Sequence, residues 1–223
     1  FFDADNDGDV DLFVTSGGYE LNANNELLQD RLYLNNGKGI FKKSNQLPKM
    51  LSFTKAISAS DFDNDGDLDL FVGSRIIPGK YPLSDTSYLL ENQNGKFVNV
   101  TSSKLKNADE MKMVNDAVFS DFDNDGDDDL IVVGEWMEIL FYENNKGAFK
   151  KKTIPALAKS NGWQQSIKEL DYNKDGLKDY FIGNWGANNK FQPSLEKPLH
   201  IYADYFDDNS SFDIALSKIS KGK

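Results

Sequence analysis

Four stretches of the chain concentrate carboxylates in a way that only cation chemistry explains. They read Asp3-Ala-Asp5-Asn-Asp7-Gly-Asp9-Val-Asp11, Asp61-Phe-Asp63-Asn-Asp65-Gly-Asp67-Leu-Asp69, Asp121-Phe-Asp123-Asn-Asp125-Gly-Asp127-Asp-Asp129 and Asp171-Tyr-Asn173-Lys-Asp175-Gly-Leu177-Lys-Asp179. Oxygen donors at positions 1, 3, 5 and 9 converge on one point, Gly at position 6 permits a sharp turn, and position 7 (Asp9, Asp67, Asp127 or Leu177) offers its backbone carbonyl. Such a donor set suits a hard cation. Without one, four carboxylates forced together repel. We expect Ca²⁺ at about four sites rather than Mg²⁺, which demands tight octahedral geometry and keeps its waters. Loop four carries less ligand charge, through Asn173, and should bind more weakly. A fifth, decayed copy runs over 205–213, where Tyr205 stands for the first Asp and Ser210 for the Gly.

An EF-hand begins with the same spacing but needs a bidentate Glu at position 12 and a helix on each side. Position 12 here is Val14, Val72, Val132 or Ile182, each inside an apolar run with strand character. The EF-hand is excluded, and the closing carboxylate falls to Asp11, Asp69, Asp129 and Asp179.

The loops start 58, 60 and 50 residues apart, a spacing that points to propeller or solenoid units. Each is followed by a β-branched and aromatic run (Leu12-Phe13-Val14, Leu70-Phe71-Val72, Leu130–Val133, Tyr180-Phe181-Ile182) and then by a glycine, Gly17, Gly73, Gly134 or Gly183. In the first three repeats a Tyr-containing strand, an Asn/Gly turn and a Phe-led strand come next, over 32–41, 88–97 and 141–149. Asn-Gly between apolar runs signals a hairpin. With the strands before each later loop, such as 56–60 and 117–120, the count is about four short strands per repeat and no amphipathic helix. The expectation is all-β: four-stranded antiparallel propeller blades with Ca²⁺-binding interstrand loops, repeats near 3–60, 61–120, 121–170 and 171–223, in one domain. The chain opens at Phe1-Phe2-Asp3 inside a motif, so we expect an incomplete segment of a larger propeller, with remaining blades supplied by the same or a larger chain.

Composition narrows the function. Net charge is −11, and 19 of the 36 acids lie inside the four loops, so the acidity belongs to sites; nucleic acid is not an expected partner. No apolar run reaches the roughly 18 residues of a membrane span, and no signal peptide is visible. Cysteine is absent, which removes disulfides, Cys-ligated zinc and a Cys nucleophile; one histidine, His200, cannot build a His-based metal site or a Ser-His-Asp triad.

The loops, the stretch Leu70-Phe-Val-Gly-Ser-Arg-Ile-Ile-Pro-Gly-Lys-Tyr-Pro82 and the stretch Asn184-Trp-Gly-Ala-Asn-Asn-Lys-Phe191 resemble the integrin-α-like FG-GAP/VCBS repeat proteins, and among them the bacterial group associated with ASPIC/UnbV domains. The resemblance spans nearly the whole chain, though no Phe-Gly-Gly-Ala-Pro is intact. It implies a propeller with Ca²⁺ in interstrand loops, an extracellular or outer-surface (secreted) location, and adhesion or recognition of a protein or glycan partner. The function expected is a noncatalytic binding module rigidified by Ca²⁺. Two rivals are a Ca²⁺-dependent polysaccharide lyase or hydrolase, with Glu135 beside Trp136 and Glu169 as candidate acids, and a purely structural scaffold segment. Elsewhere the bland reading is preferred: Trp136, Trp163 and Trp185 as packing between blades rather than a sugar platform, Arg75 and Lys80 as a solvated loop, His200 as structural, and Lys150-Lys151-Lys152 as a solvated strand edge.

Overall fold

The fold is known from a computed structural model that describes residues 1–186, 189–209 and 211–219. Among these residues it is all-β and antiparallel, with a single four-residue α-helix (α1, Thr101–Lys104) and three 3₁₀ turns. The chain forms β1 (Leu12–Val14), β2 (Arg31–Leu34), β3 (Lys42–Lys43), β4 (Thr54–Ser60), β5 (Asp69–Ser74), β6 (Tyr88–Gln93), β7 (Lys96–Asn99), β8 (Met113–Phe119), β9 (Leu130–Met137), β10 (Leu140–Asn145), β11 (Ala148–Lys152), β12 (Gly162–Leu170), β13 (Asp179–Asn184), β14 (Leu199–Asp204) and β15 (Asp213–Lys218).

Strands β1-β2-β3 form the first sheet and β4-β5-β6-β7 the second, each in sequence order. Strands β8 to β11 pair consecutively in the third, to which β12 and β13 are joined through short pairing of β12 with β9 at Gly162–Met137 and Trp163–Glu135. Strands β14 and β15 form a separate hairpin. The sheets are framed slightly ahead of the sequence repeats. Strand β4 ends the stretch 3–60 yet opens the second sheet, and β8 opens the third.

Two apolar clusters lie between successive sheets and a third between β9–β10 and β12. Phe2, Leu32, Leu70, Val72 and Phe97 fill the first; Phe62, Phe71, Leu89, Phe119, Val132 and Phe149 the second; Ile131, Val133, Phe141 and Ile167 the third. Because side chains alternate along a strand, Leu70 and Val72 enter one cluster while Phe71 enters the next, and Leu130 and Val132 part from Ile131 and Val133 in the same way. The central strands β5 and β9 are thus covered on both faces. Their sequences read as unbroken apolar runs for that reason. The glycines after these runs allow a close approach at a bulge: a Cβ on Gly134 would lie 2.1 Å from the Met113 carbonyl oxygen, beside the register shift between Val114 and Asp116.

One asparagine per hairpin joins neighbouring units. Asn92 Nδ2 donates to the Ala4 carbonyl of the preceding loop (3.0 Å) and to the Leu68 carbonyl of its own (3.2 Å), while its Oδ1 accepts from Gly95 N (2.7 Å). Asn144 repeats this with Phe62 (2.7 Å), Asp128 (2.9 Å) and Gly147 (2.8 Å). Both side chains are buried. Asp30, also buried, links the first sheet to β4, accepting from Ser16 N (2.7 Å) and Thr54 Oγ1 (2.7 Å); burial pushes its carboxyl up to about 6.

Two outcomes follow for stability. Asn144→Ala leaves buried carbonyls without donors and should cost about 2–4 kcal/mol in denaturant melts; a loss below about 0.5 kcal/mol would contradict the joining role. Because folding raises the Asp30 pKa, its contribution is complete below pH ~4 and is lost as pH rises through about 6. Asp30→Asn should therefore remove up to about 3 kcal/mol of the parent's stability loss between pH 4 and 7, measured by melting across that range.

Candidate metal centres

The four loops share one backbone design. Position 1 accepts from the amides of positions 5 and 6: Asp3 from Asp7 (3.2 Å) and Gly8 (2.9 Å), Asp61 from Asp65 (3.0 Å) and Gly66 (3.0 Å), Asp121 from Asp125 (3.0 Å) and Gly126 (3.2 Å), Asp171 from Asp175 (3.1 Å) and Gly176 (3.0 Å). The turn is left-handed at position 4, at φ +61°, +60°, +60° and +61° for Asn6, Asn64, Asn124 and Lys174, and at φ +85° to +99° for the position-6 glycine. Asn tolerates that conformation and Lys does so at a cost, which explains three Asn in four.

The ninth position ties each loop to its sheet. Asp11, Asp69 and Asp129 accept from the position-2 amide through Oδ2 (2.8, 3.2 and 3.1 Å) and from a third-strand amide, Asn35, Asn92 or Asn144, through Oδ1 (2.7 Å each). All three are 0% exposed. Burial, reinforced by the neighbouring carboxylates, pushes Asp69 up to about 8 and Asp129 up to about 6. Asp179 keeps the position-2 bond, from Tyr172 N (2.9 Å), but among the described residues it receives no third-strand amide.

Within each of the first three loops, carboxylate oxygens of positions 1, 3 and 9 lie within 4.8 Å of one another: Asp3, Asp5 and Asp11; Asp61, Asp63 and Asp69; Asp121, Asp123 and Asp129. In each, the position-3 Oδ1 (Asp5, Asp63, Asp123) is buried and has no hydrogen-bond partner. The other side chains of the motif are engaged locally. Position 5 accepts the position-7 amide (Asp7, Asp65, Asp125 and Asp175; 2.8–3.2 Å), and position 7 turns toward the hairpin, Asp67 accepting from Asn94 N (3.2 Å) and Asp127 from Lys146 N (3.0 Å). Asp9 lies against the Gly37 turn in the same way. Loop four (Asp171, Asn173, Asp175, Leu177, Asp179) has the backbone design without a three-carboxylate group among the described residues. The 205–213 segment spans hairpin β14–β15 in the register Asp204–Asp213, the nine-residue step of Ser60–Asp69 and Leu170–Asp179. Ser210 of that segment, and Ala187 and Asn188 of the 184–191 motif, lie outside the described residues.

Two lysines that sequence reasoning passed over, or placed in solvent, reach the position-3 carboxylates. Lys104 Nζ contacts Asp63 Oδ2 (2.9 Å) and Glu91, and lies 5.4 Å from the Phe62 ring centroid. Lys152 Nζ contacts Asp123 Oδ2 (3.0 Å) and Glu143 (2.8 Å), at the same 5.4 Å from Phe122. Each ammonium holds Oδ2 of position 3 and leaves the buried Oδ1 without a partner. The recurring Glu91-Asn92 and Glu143-Asn144 pairs were the available signal. Repeat one has Leu34-Asn35 and Ala4 in their place and carries no such lysine.

Other expectations are corrected. In the Lys150–Lys152 run on the outer strand β11 only Lys150 stays in solvent, since Lys151 bridges Glu110 (2.5 Å) and Glu138 (2.8 Å) and Lys152 sits at the loop. Arg75 is not a loose loop residue: it pairs with Glu135 (2.7 Å), which also receives Asn115 Nδ2 (3.3 Å). Glu169 faces Lys178 (3.8 Å). The tryptophans do not fill the core; Trp136 and Trp163 are half-buried and Trp185 is exposed.

Antiparallel β-units repeating a buried, aspartate-closed loop define this as a β-repeat protein of the acidic-loop kind. The FG-GAP-like repeat model matches residues 3–72 and 121–182, each match running from one loop to the strand after the next, and the chain belongs to that family. Its repeats are typical of extracellular binding and structural modules and are generally non-catalytic. No curated protein matches the chain. Among the described residues no helix is long and apolar enough to cross a membrane.

The lysine contacts give one outcome to measure. Lys104→Met leaves Asp63 and Glu91 without their cation and should lower stability by about 1–2 kcal/mol in EDTA, given that both partners are mostly buried. An unchanged melt would show the contact to be idle.

Proposed function

We propose that this chain is a Ca²⁺-stabilised, extracytoplasmic binding module that forms part of a β-propeller. The observation that carries the reading is the thrice-repeated triad of positions 1, 3 and 9 with a buried, partnerless position-3 oxygen. A buried polar atom without a partner is costly, and a hard cation is the partner that an all-oxygen donor set suits. Asp3, Asp5, Asp7 and Asp11 would hold the first ion with the Asp9 carbonyl. Asp61, Asp63, Asp65 and Asp69 with the Asp67 carbonyl, and Asp121, Asp123, Asp125 and Asp129 with the Asp127 carbonyl, would hold the next two. Asp171, Asn173, Asp175 and Asp179 with the Leu177 carbonyl form a fourth, weaker site. The bound ion supplies a cross-link between strands and relief of carboxylate repulsion.

The propeller rests on three supports. Successive antiparallel sheets bury apolar faces against one another, strands β4, β8 and β12 lie side by side, and the family is defined by such repeats. The sequence resemblance of the motifs at 70–82 and 184–191 supports membership of the bacterial ASPIC/UnbV-associated group. Its partners are a cell-surface protein or glycan and the remaining blades of the same or a larger chain.

Calcium binds only the folded chain, so each site filled at ten times its Kd adds about 1.4 kcal/mol. Melting should rise in millimolar Ca²⁺ relative to EDTA, and Asp63→Ala and Asp123→Ala should each shrink the rise. If both variants gain from calcium as much as the parent does, the sites are misplaced. Protons compete for Asp69 and Asp129, so the gain should be smaller at pH 5 than at pH 8. Recognition is tested by immobilising the chain in Ca²⁺ and in EDTA over cell-surface proteins and glycans. Capture in calcium alone supports the module; no capture in either buffer from a folded chain leaves a scaffold.

A further inference from the structure

The chain's three tryptophans are spread over fifty residues and meet at one place. Trp136 lies near the end of β9, Trp163 near the start of β12 and Trp185 directly after β13. The ring centroids of Trp136 and Trp163 are 5.4 Å apart at 79°, those of Trp163 and Trp185 5.5 Å apart at 85°, and Phe191 stands 6.1 Å from Trp163. All three positions are at strand ends remote from the aspartate loops. From Leu130 at loop three to Trp136, β9 covers roughly 20 Å at 3.3 Å per residue.

This cluster is held in place without being buried. Trp185 is 61% exposed. Trp136 adopts φ +60°, a strained conformation for a bulky side chain, and its indole N–H donates to Tyr81 Oη (2.7 Å). The Trp163 amide donates to Asn184 Oδ1 (3.2 Å). Fixed, strained and wet aromatics are what a binding surface requires and a core does not.

Trp136 and Trp163 form the wall of a cavity of about 620 Å³, a volume suited to a small ligand. Its other walls include Lys159, Asn161, Asn184 and His200. Among the described residues no acid lines it, although the chain has 36, and Lys159 makes no ion pair. A local positive charge beside amides and indoles, in a chain of net charge −11, selects for one kind of ligand.

We propose that this cleft binds an acidic sugar, a uronate unit of an anionic glycan. The C–H face of a pyranose meets the negative face of an indole, the Asn161 and Asn184 amides meet hydroxyls, and Lys159 meets the carboxylate. A neutral sugar leaves Lys159 without a partner. Nucleic acid would need many more cations than one. The proposal rests on the binding-module reading and names its ligand class and site.

Because every tryptophan of the chain belongs to this cluster, intrinsic fluorescence reports on it alone. The test titrates the full chain with oligogalacturonate trimer and, separately, with a neutral glucan trimer, at fixed free Ca²⁺. A saturable emission change with the uronate only is expected, weakened about tenfold by Lys159→Ala, a surface change that leaves the fold alone, and abolished by Trp163→Ala. No emission change, an equal response to the neutral trimer, or full affinity in Lys159→Ala would overturn it. A flat titration beside calcium-dependent capture of a protein would overturn this site while the module reading stands.

Discussion

A carboxylate buried at the ninth position of the first three loops is the constraint on which the architecture turns. Asp11, Asp69 and Asp129 are fully covered, and both oxygens of each are spent on backbone amides, one inside the loop and one on the third strand. Those bonds fix where the loop leaves the sheet and where the hairpin returns. Burial makes the ionised form unfavourable at Asp69 and Asp129, whose carboxyls are pushed up. The cheapest neutraliser of a carboxylate held this way beside two others is a divalent ion, so the cross-link that organises the strands also creates the demand for a cation.

The repeats answer that demand differently. In the second and third, an ammonium from Lys104 or Lys152 takes the outer oxygen of position 3 and shares the load with Glu91 or Glu143. The first has no such lysine, and the fourth replaces the third-position Asp by Asn173. Loop four is also less covered among the described residues: Tyr172 is 71% exposed, whereas Ala4 and Phe62, its counterparts in loops one and two, are buried. One motif therefore yields four unequal donor sets, and among the described residues only the middle two carry an ammonium at the third position.

Much of this was legible in the sequence, and the limit has a physical cause. Loops, strand runs and Asn/Gly hairpins are local, set by spacing of a few residues, and the all-β fold follows from them. The unbroken runs Leu70-Phe71-Val72 and Leu130–Val133 even disclose strands covered on both faces. What stayed hidden crosses repeats. Arg75 meets Glu135 sixty residues away, Asn144 reaches Phe62 at a separation of 82, and Lys104 meets Asp63 at 41. No local pattern distinguishes a lysine bound for a neighbouring loop from one bound for water. The tryptophans were misjudged for the same reason: abundant apolar partners in sequence suggested a core, but the three strand ends that carry them converge at an edge.

The placement of charge closes the physical picture. Acids gathered at one end of the strands repel each other and any anion until neutralised, whereas the far end gathers indoles, amides and Lys159 around a cavity free of acids. The strands between are covered on both faces and cross-tied by Asn92 and Asn144, so tightening the loops limits the freedom of the sheets that carry the aromatics. A cation held at the loops would act on the aromatic end only through these sheets, whose hairpins the buried Asn–Asp bonds tie to the loops.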